Sequence, residues 1–145
     1  VAIESLGITT TATASAADVL DIAAGTNNAV RLMELHIYLN TAVATKLALF
    51  RTTALGTRTS PTTLGAEDPN DETTPISTIA LAWSVAATKA SIALRRISLP
   101  ATIGAGIIWT WGPRGLLIPK AGSLILSNTA GAVIGLCDVN AIVDI

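Results

Sequence analysis

Between Ile92 and Asn128 the chain reads IALRRISLPATIGAGIIWTWGPRGLLIPKAGSLILSN, and its breakers leave no room for a helix of ordinary length. Pro100 closes Ile92–Leu99, and Gly104 and Gly106 open Ile107–Trp111. Gly112-Pro113 and Gly115 end that run, and Pro119-Lys120-Ala121-Gly122 turns the chain into Ser123–Ser127. Proline has no amide hydrogen to give to a ladder, and glycine accepts the left-handed backbone that tight turns demand. Short apolar runs held between such clusters are the strands of a sandwich or barrel.

The same punctuation extends to the rest of the chain. Residues 1–17 are rich in Thr, Ala and Ser and poor in bulky anchors. They read as an extended N-terminal arm that orders against a neighbouring subunit, with a first strand over Ile8–Thr13 as the alternative. Asp18–Ala23 is a short strand ended by the turn Gly25–Asn28. Ala29–Leu39 alternates with period two, with Met33, Leu35, Ile37 and Leu39 on one face. Glu34, His36 and Tyr38 share the other face with Val30 and Leu32. Asn40-Thr41 then links this run to Val43–Thr53 as a hairpin. Residues 53–75 lose all apolar periodicity and form a loop far longer than the usual connection, the leading candidate for a contact element. Ile76–Ala86 resumes as one strand, and Ala132–Asn140 closes the chain.

About eight strands and no helix predict an all-β fold, an antiparallel two-sheet β-sandwich of jelly-roll type with an extended N-terminal arm. Residues 18–145 are its single domain. The long loop at 53–75 favours the sandwich over an up-and-down barrel, whose strands are mostly joined by short hairpins.

The chemistry classes thin out quickly. His36 is the only histidine and sits mid-strand beside Glu34, so a Ser-His-Asp or Cys-His mechanism has one place to run and no nucleophile elbow to serve it. With one cysteine, Cys137, neither a disulfide framework nor a zinc site can be built. Asp138 and Asp144 are a carboxylate pair on one closing strand, with no cleft in view. The acidic run Glu67–Glu72 lacks calcium-loop spacing and carries Pro69, so a solvated or partner-facing loop is its default. No cofactor, metal site or catalytic residue is expected. Nine Lys plus Arg against ten Asp plus Glu leave no basic face for nucleic acid, and no apolar run is long enough for a membrane-spanning helix.

What does stand out is how the surface must be used. Half the residues are hydrophobic and only 13% are charged, which predicts that other protein covers part of the surface. Charge is also polarised along the chain. Glu67, Asp68, Asp71 and Glu72 cluster in the loop, whereas residues 73–137 hold no acid and carry Lys89, Arg95, Arg96, Arg114 and Lys120. The acidic loop of one copy can therefore meet the basic surface of the next, or fold over its own sandwich. Trp83, Trp109 and Trp111 are candidate aromatic anchors. Trp109 and Trp111 lie two residues apart, which also allows a sugar-binding platform.

Taken together, LALFRTTALGTRTSPTTLGAEDPNDE (Leu47–Glu72), the Trp83 strand, LRRISLPATIGAGIIWTW (Leu94–Trp111) and PRGLLIPKAGSLILSN (Pro113–Asn128) resemble small virion proteins of tailed bacteriophages. The likeness is greatest to capsid decoration (head-stabilising or cement) proteins with a jelly-roll-like fold. The resemblance implies a structural homotrimer on the outside of the virion capsid, bound to the major capsid protein and to copies of itself, with an arm tying trimers together. It implies no enzyme activity. A carbohydrate-binding jelly roll of a head fibre or host-attachment component is the alternative.

Overall fold

A computed structural model describes residues 2–70 and 74–145. Its elements are β1 (Ile3–Thr9), β2 (Asp18–Ala23), β3 (Val30–Leu39), β4 (Thr45–Ala54), β5 (Thr57–Thr59), β6 (Thr62–Thr63) and β7 (Gly65–Ala66). There follow β8 (Thr78–Ala80), β9 (Ala82–Val85), β10 (Thr88–Leu99), β11 (Gly106–Thr110), β12 (Leu116–Ile118), β13 (Ser123–Asn128) and β14 (Cys137–Asp144). No helix occurs among the described residues.

All pairings are antiparallel. One large sheet runs β11-β3-β14-β1-β7, with β12 continuing β11 along β3; the other runs β10-β4-β13-β2-β8-β6, and β5 and β9 form a small third sheet. Counting the main strands β1, β2, β3, β4, β10, β11, β13 and β14 as first to eighth, the sheets order as 1-8-3-6 and 2-7-4-5. Successive strands mostly change sheet, which is the double Greek key of a jelly roll. The expected all-β sandwich is thus present.

The two inner faces meet in one core. Leu32, Leu35 and Ile37 of β3, Leu47 and Leu49 of β4, Leu124 and Leu126 of β13, and Val139, Ala141 and Val143 of β14 are all fully buried. Each such Leu, Ile or Val contributes about 1.5–3 kcal/mol when removed from water. Strand β14 shows the period-two rule cleanly, with Cys137, Val139, Ala141 and Val143 inward and Asp138 exposed on the other side.

Several local expectations change. The β3 alternation slips phase at Met33–Glu34: Ile142 pairs with Glu34 and Val143 with Leu32, so β3 carries an extra residue there. That bulge returns Val30 and Leu32 to the core face with Leu35, Ile37 and Leu39. Strands β3 and β4 form no hairpin, because β3 pairs with β11, β12 and β14 while β4 pairs with β10 and β13. Residues 40–44 instead cross from one sheet to the other, a gap of about 10 Å. Residues 2–17 do not lie apart as an arm. β1 pairs over its whole length with β14, from Ile3↔Asp144 to Thr9↔Asp138, and Thr13 bridges Ile134.

The long loop is likewise tied down wherever it is described. Gly56 starts an excursion over residues 55–87, in a left-handed turn (φ 68°) where a Cβ would sit 2.2 Å from the Val85 carbonyl oxygen. Strand β5 then pairs with β9, β6 with β8, β7 with β1, and β8 with β2. The excursion therefore seals the β1 edge of one sheet and the β2 edge of the other. The single strand expected over Ile76–Ala86 is broken at Leu81 into β8 and β9, which serve different sheets.

Candidate interaction surface

Two buried carboxylates fix the excursion. Asp21 has no exposed side-chain surface and lies beneath Arg58, whose Nε and Nη2 donate to both carboxylate oxygens at 2.6–3.1 Å. The Ala80 amide adds a third donor at 3.1 Å, and Arg58 Nη1 also bonds Thr78 Oγ1. Burial pushes the Asp21 carboxyl above its ordinary value, while the Arg58 fork and the Ala80 amide pull it back. Glu4 is equally buried, and its two carboxylate oxygens accept the Ile76 amide (2.8 Å) and the Ser77 amide (3.2 Å). The sequence reading missed both. The available signal was a lone acid inside an apolar strand, IESLGI for Glu4 and VLDIA for Asp21, since an isolated buried charge needs a partner.

With that flank sealed, the opposite one is open. β10 and β11 are the outermost strands on that side, and neither has a further neighbour among the described residues. Their register differs in regularity. β11 runs evenly from Gly106↔Tyr38 to Thr110↔Glu34. On β10 the register shifts between Lys89 and Ala93 and again before Arg95, so Ala90–Ile92 stand opposite Arg51 alone. Such bulges blunt an edge against casual strand pairing.

The predicted contact residues fall on both flanks. Glu67 and Asp68 are exposed just after β7, with the Glu67 amide donating to the Ile3 carbonyl (2.9 Å) and the Asp68 carboxylate accepting the Asn70 amide (2.9 Å). Asp71 and Glu72 lie outside the described residues. Arg95 and Arg96 are exposed on β10, and the Arg95 guanidinium lies 5.4 Å from the centre of the Trp111 ring. Arg114 is exposed in the β11–β12 turn, where its carbonyl accepts Arg31 Nη1 (3.0 Å). The structure thus joins Arg95 to Trp111 and places Glu67 and Asp68 at the opposite edge.

The tryptophans separate. Trp109 points into the core and is only 6% exposed, Trp111 is half-buried beside it at the open edge, and Trp83 is half-buried on β9. With Trp109 buried, Trp109 and Trp111 do not present a paired platform to a sugar.

Hydrogen bonds or burial engage most of the remaining reactive groups. His36 Nε2 lies 3.2 Å from Glu34 on the outer face of β3, both half-buried. Asp138 and Asp144 lie six residues apart on β14, roughly 20 Å at strand rise, too far to act as a pair. Thr9 Oγ1 (2.7 Å) and Asn40 Nδ2 (3.1 Å) donate to Asp138, holding its carboxyl below the usual range. Burial pushes the Cys137 thiol up. Among the described residues no cluster of three or more His, Cys, Asp or Glu could hold a metal ion.

Exposed large apolar side chains mark what the surface offers instead. Ile92 on β10, Ile103 in the turn after it and Ile108 on β11 are 50–73% exposed, and Ile3 and Leu117 extend this set across the outer face of the β11-β3-β14-β1 sheet. Compared with known proteins, the chain matches no family model, no characterised protein and no solved structure. The jelly-roll order rests on the strand pairing itself.

Proposed function

We propose that this chain is a structural virion protein that decorates the outside of a bacteriophage capsid. It assembles as a homotrimer through head-to-tail contacts and seats against the major capsid protein. The observation that carries the self-association is the placement of charge. Glu67 and Asp68 follow β7 at one edge of the sandwich, whereas Arg95 and Arg96 lie on β10 at the other. From β7 to β11 the sheet is four strand spacings wide, roughly 19 Å. Glu67 and Asp68 leave the sandwich on the flank opposite Arg95 and Arg96 of their own chain, so these two patches complement each other between copies. A heterologous contact of this kind closes into a ring when its rotation allows. The sequence resemblance supports the capsid as the surface on which such a ring sits, and repetition over a shell turns modest affinity into firm attachment.

Light scattering tests the assembly directly. At low salt the wild-type particle should have three times the chain mass of 14.8 kDa. Reversing charge with Glu67→Lys and Asp68→Lys should lower it, and adding Arg95→Glu and Arg96→Glu should restore it. Co-sedimentation with phage capsids stripped of their decoration tests the seat. A chain that stays monomeric and does not sediment with capsids refutes the proposal.

A further inference from the structure

An open depression of about 380 Å³ crosses the outer face of the first sheet, lined by Ile3, Met33, Glu34, Thr110, Gly112 and Ile142. Its walls are mainly apolar. Thr110, Glu34 and Ile142 form one cross-strand row, from β11 through β3 to β14, which Ser5 continues on β1; Ile3 lies two residues from Ser5, opposite Asp144. The β3 bulge lies within the hollow, since Met33 and Glu34 both line it. Its border is acidic. The Glu34 side chain is 40% exposed, and Glu67 is bonded through its amide to the Ile3 carbonyl with Asp68 following. The Arg31 guanidinium is turned to the Arg114 carbonyl, and His36 Nε2 lies 3.2 Å from Glu34.

On the opposite flank, the β10 bulge carries the complementary shape. Ile92 is 73% exposed, the most exposed of the large apolar side chains, and it projects where the strand has lost its register. Arg95 and Arg96 follow three and four residues later, roughly 10–13 Å along the strand. An apolar knob flanked by cations thus matches an apolar hollow bordered by carboxylates.

We infer that the hollow on the outer sheet face receives the Ile92 bulge of β10 from a second copy of this chain. The inference rests on the head-to-tail reading above and names the surfaces that meet. The occupant is a second copy because β10 is paired to β4 in the other sheet, at the far edge from Ile3, and cannot fold back onto its own face. The symmetric alternative, β10 of one copy paired antiparallel with β10 of another about Ile92, would set Arg95 opposite Lys89 of the other copy. Like charges directly opposed across strands are destabilising. A flank seated on a face is a heterologous contact, which closes into a ring where its rotation closes.

Cross-linking of the full chain tests this. Ile3 and Ile92 are both exposed, so Ile3→Cys and Ile92→Cys should leave the fold intact, and the buried Cys137 stays silent in the native state. Under a short bis-maleimide, the double variant Ile3→Cys/Ile92→Cys should give covalent dimers and trimers, while each single variant stays a single chain. Ile92→Asp should weaken self-association at least tenfold. Cross-linking of Ile92→Cys alone would instead establish the symmetric contact and overturn the inference. An oligomeric wild type whose double variant does not cross-link overturns the docking site but leaves head-to-tail assembly standing. A monomeric wild type removes both.

Discussion

Replacing Arg58 by Met keeps most of the side-chain volume and leaves the Asp21 carboxylate buried without its cation. Asp21 has no exposed side-chain surface and Arg58 only 13%, so water cannot replace the lost partner. Removing one member of a buried ion pair costs about 3–5 kcal/mol, because the remaining charge keeps its desolvation penalty. Against a total stability of about 5–15 kcal/mol this is a large fraction. It corresponds to a fall of roughly 10 °C or more in the melting temperature of a chain this size. Urea unfolding followed by tryptophan fluorescence measures the loss. A second change, Asp21→Asn, removes the stranded charge while keeping an acceptor for the Ala80 amide. The double variant should therefore recover most of the deficit, a coupling that a mutant cycle isolates.

The pH dependence of that deficit has a definite sign. Burial already places the folded Asp21 carboxyl above its ordinary value of 3.8, and removing Arg58 takes away the largest influence opposing it. A carboxyl whose folded pKa is raised favours the folded state below its unfolded pKa and loses that contribution as pH rises through the folded value. The Arg58→Met deficit should thus be greatest at neutral pH and shrink as pH falls toward 4. A loss under about 1 kcal/mol, or a deficit that widens in acid, refutes the buried clamp.

Other outcomes follow from single contacts. Glu4→Gln leaves one oxygen for the two amides of Ile76 and Ser77 and turns an N–H against the other, so about 1.5–3 kcal/mol should be lost. Amide hydrogen exchange at Ser77 should speed up with it; unchanged protection there counts against the latch. Gly106→Ala places a Cβ 2.3 Å from the Ile37 carbonyl oxygen at the start of β11, and should cost about 1–3 kcal/mol in thermal unfolding. A variant as stable as the wild type would show that β11 lies farther from β3. The Cys137 thiol, fully buried and with its pKa raised, should resist Ellman's reagent until the chain unfolds. Rapid native labelling would place it at the surface.

The strands were legible wherever a breaker set both ends. Pro100, Gly106, Gly112-Pro113 and Pro119–Gly122 bound β10, β11 and β13 within a few residues of their actual limits, while the three-residue β12 was not foreseen. Pairing was less legible, because spacing alone does not distinguish a hairpin turn from a link between sheets: residues 40–44 look like the former and act as the latter. A bulge is also silent in sequence, so the alternation of β3 put Val30 and Leu32 on the wrong face until Glu34 and Leu32 were seen paired with consecutive residues of β14. Strands of two or three residues, such as β6 and β7, are too short to show any period, and the excursion therefore read as a loop. The acid–base polarity was readable at once; its distribution onto opposite flanks was a property of the topology alone.

That topology leaves one flank without a further strand among the described residues. An open jelly roll has edges on both sides, each a row of unpaired backbone groups that invites strand addition. Here the residue 55–87 excursion covers the β1 and β2 edges and is held by buried carboxylates on both sheets. Burying Glu4 and Asp21 is costly in itself, and apolar contacts could seal an edge without that cost. What the carboxylates add is position: each fixes the excursion to one register, and so fixes where Glu67 leaves the sheet beside Ile3. The β10 flank is managed differently, with bulges and exposed arginines that resist backbone pairing yet leave Ile92 projecting. One flank is built to place acid beside an apolar hollow, the other to present an apolar side chain beside cations. A contact between copies through side chains, with both backbone edges left unextended, accounts for both constructions at once.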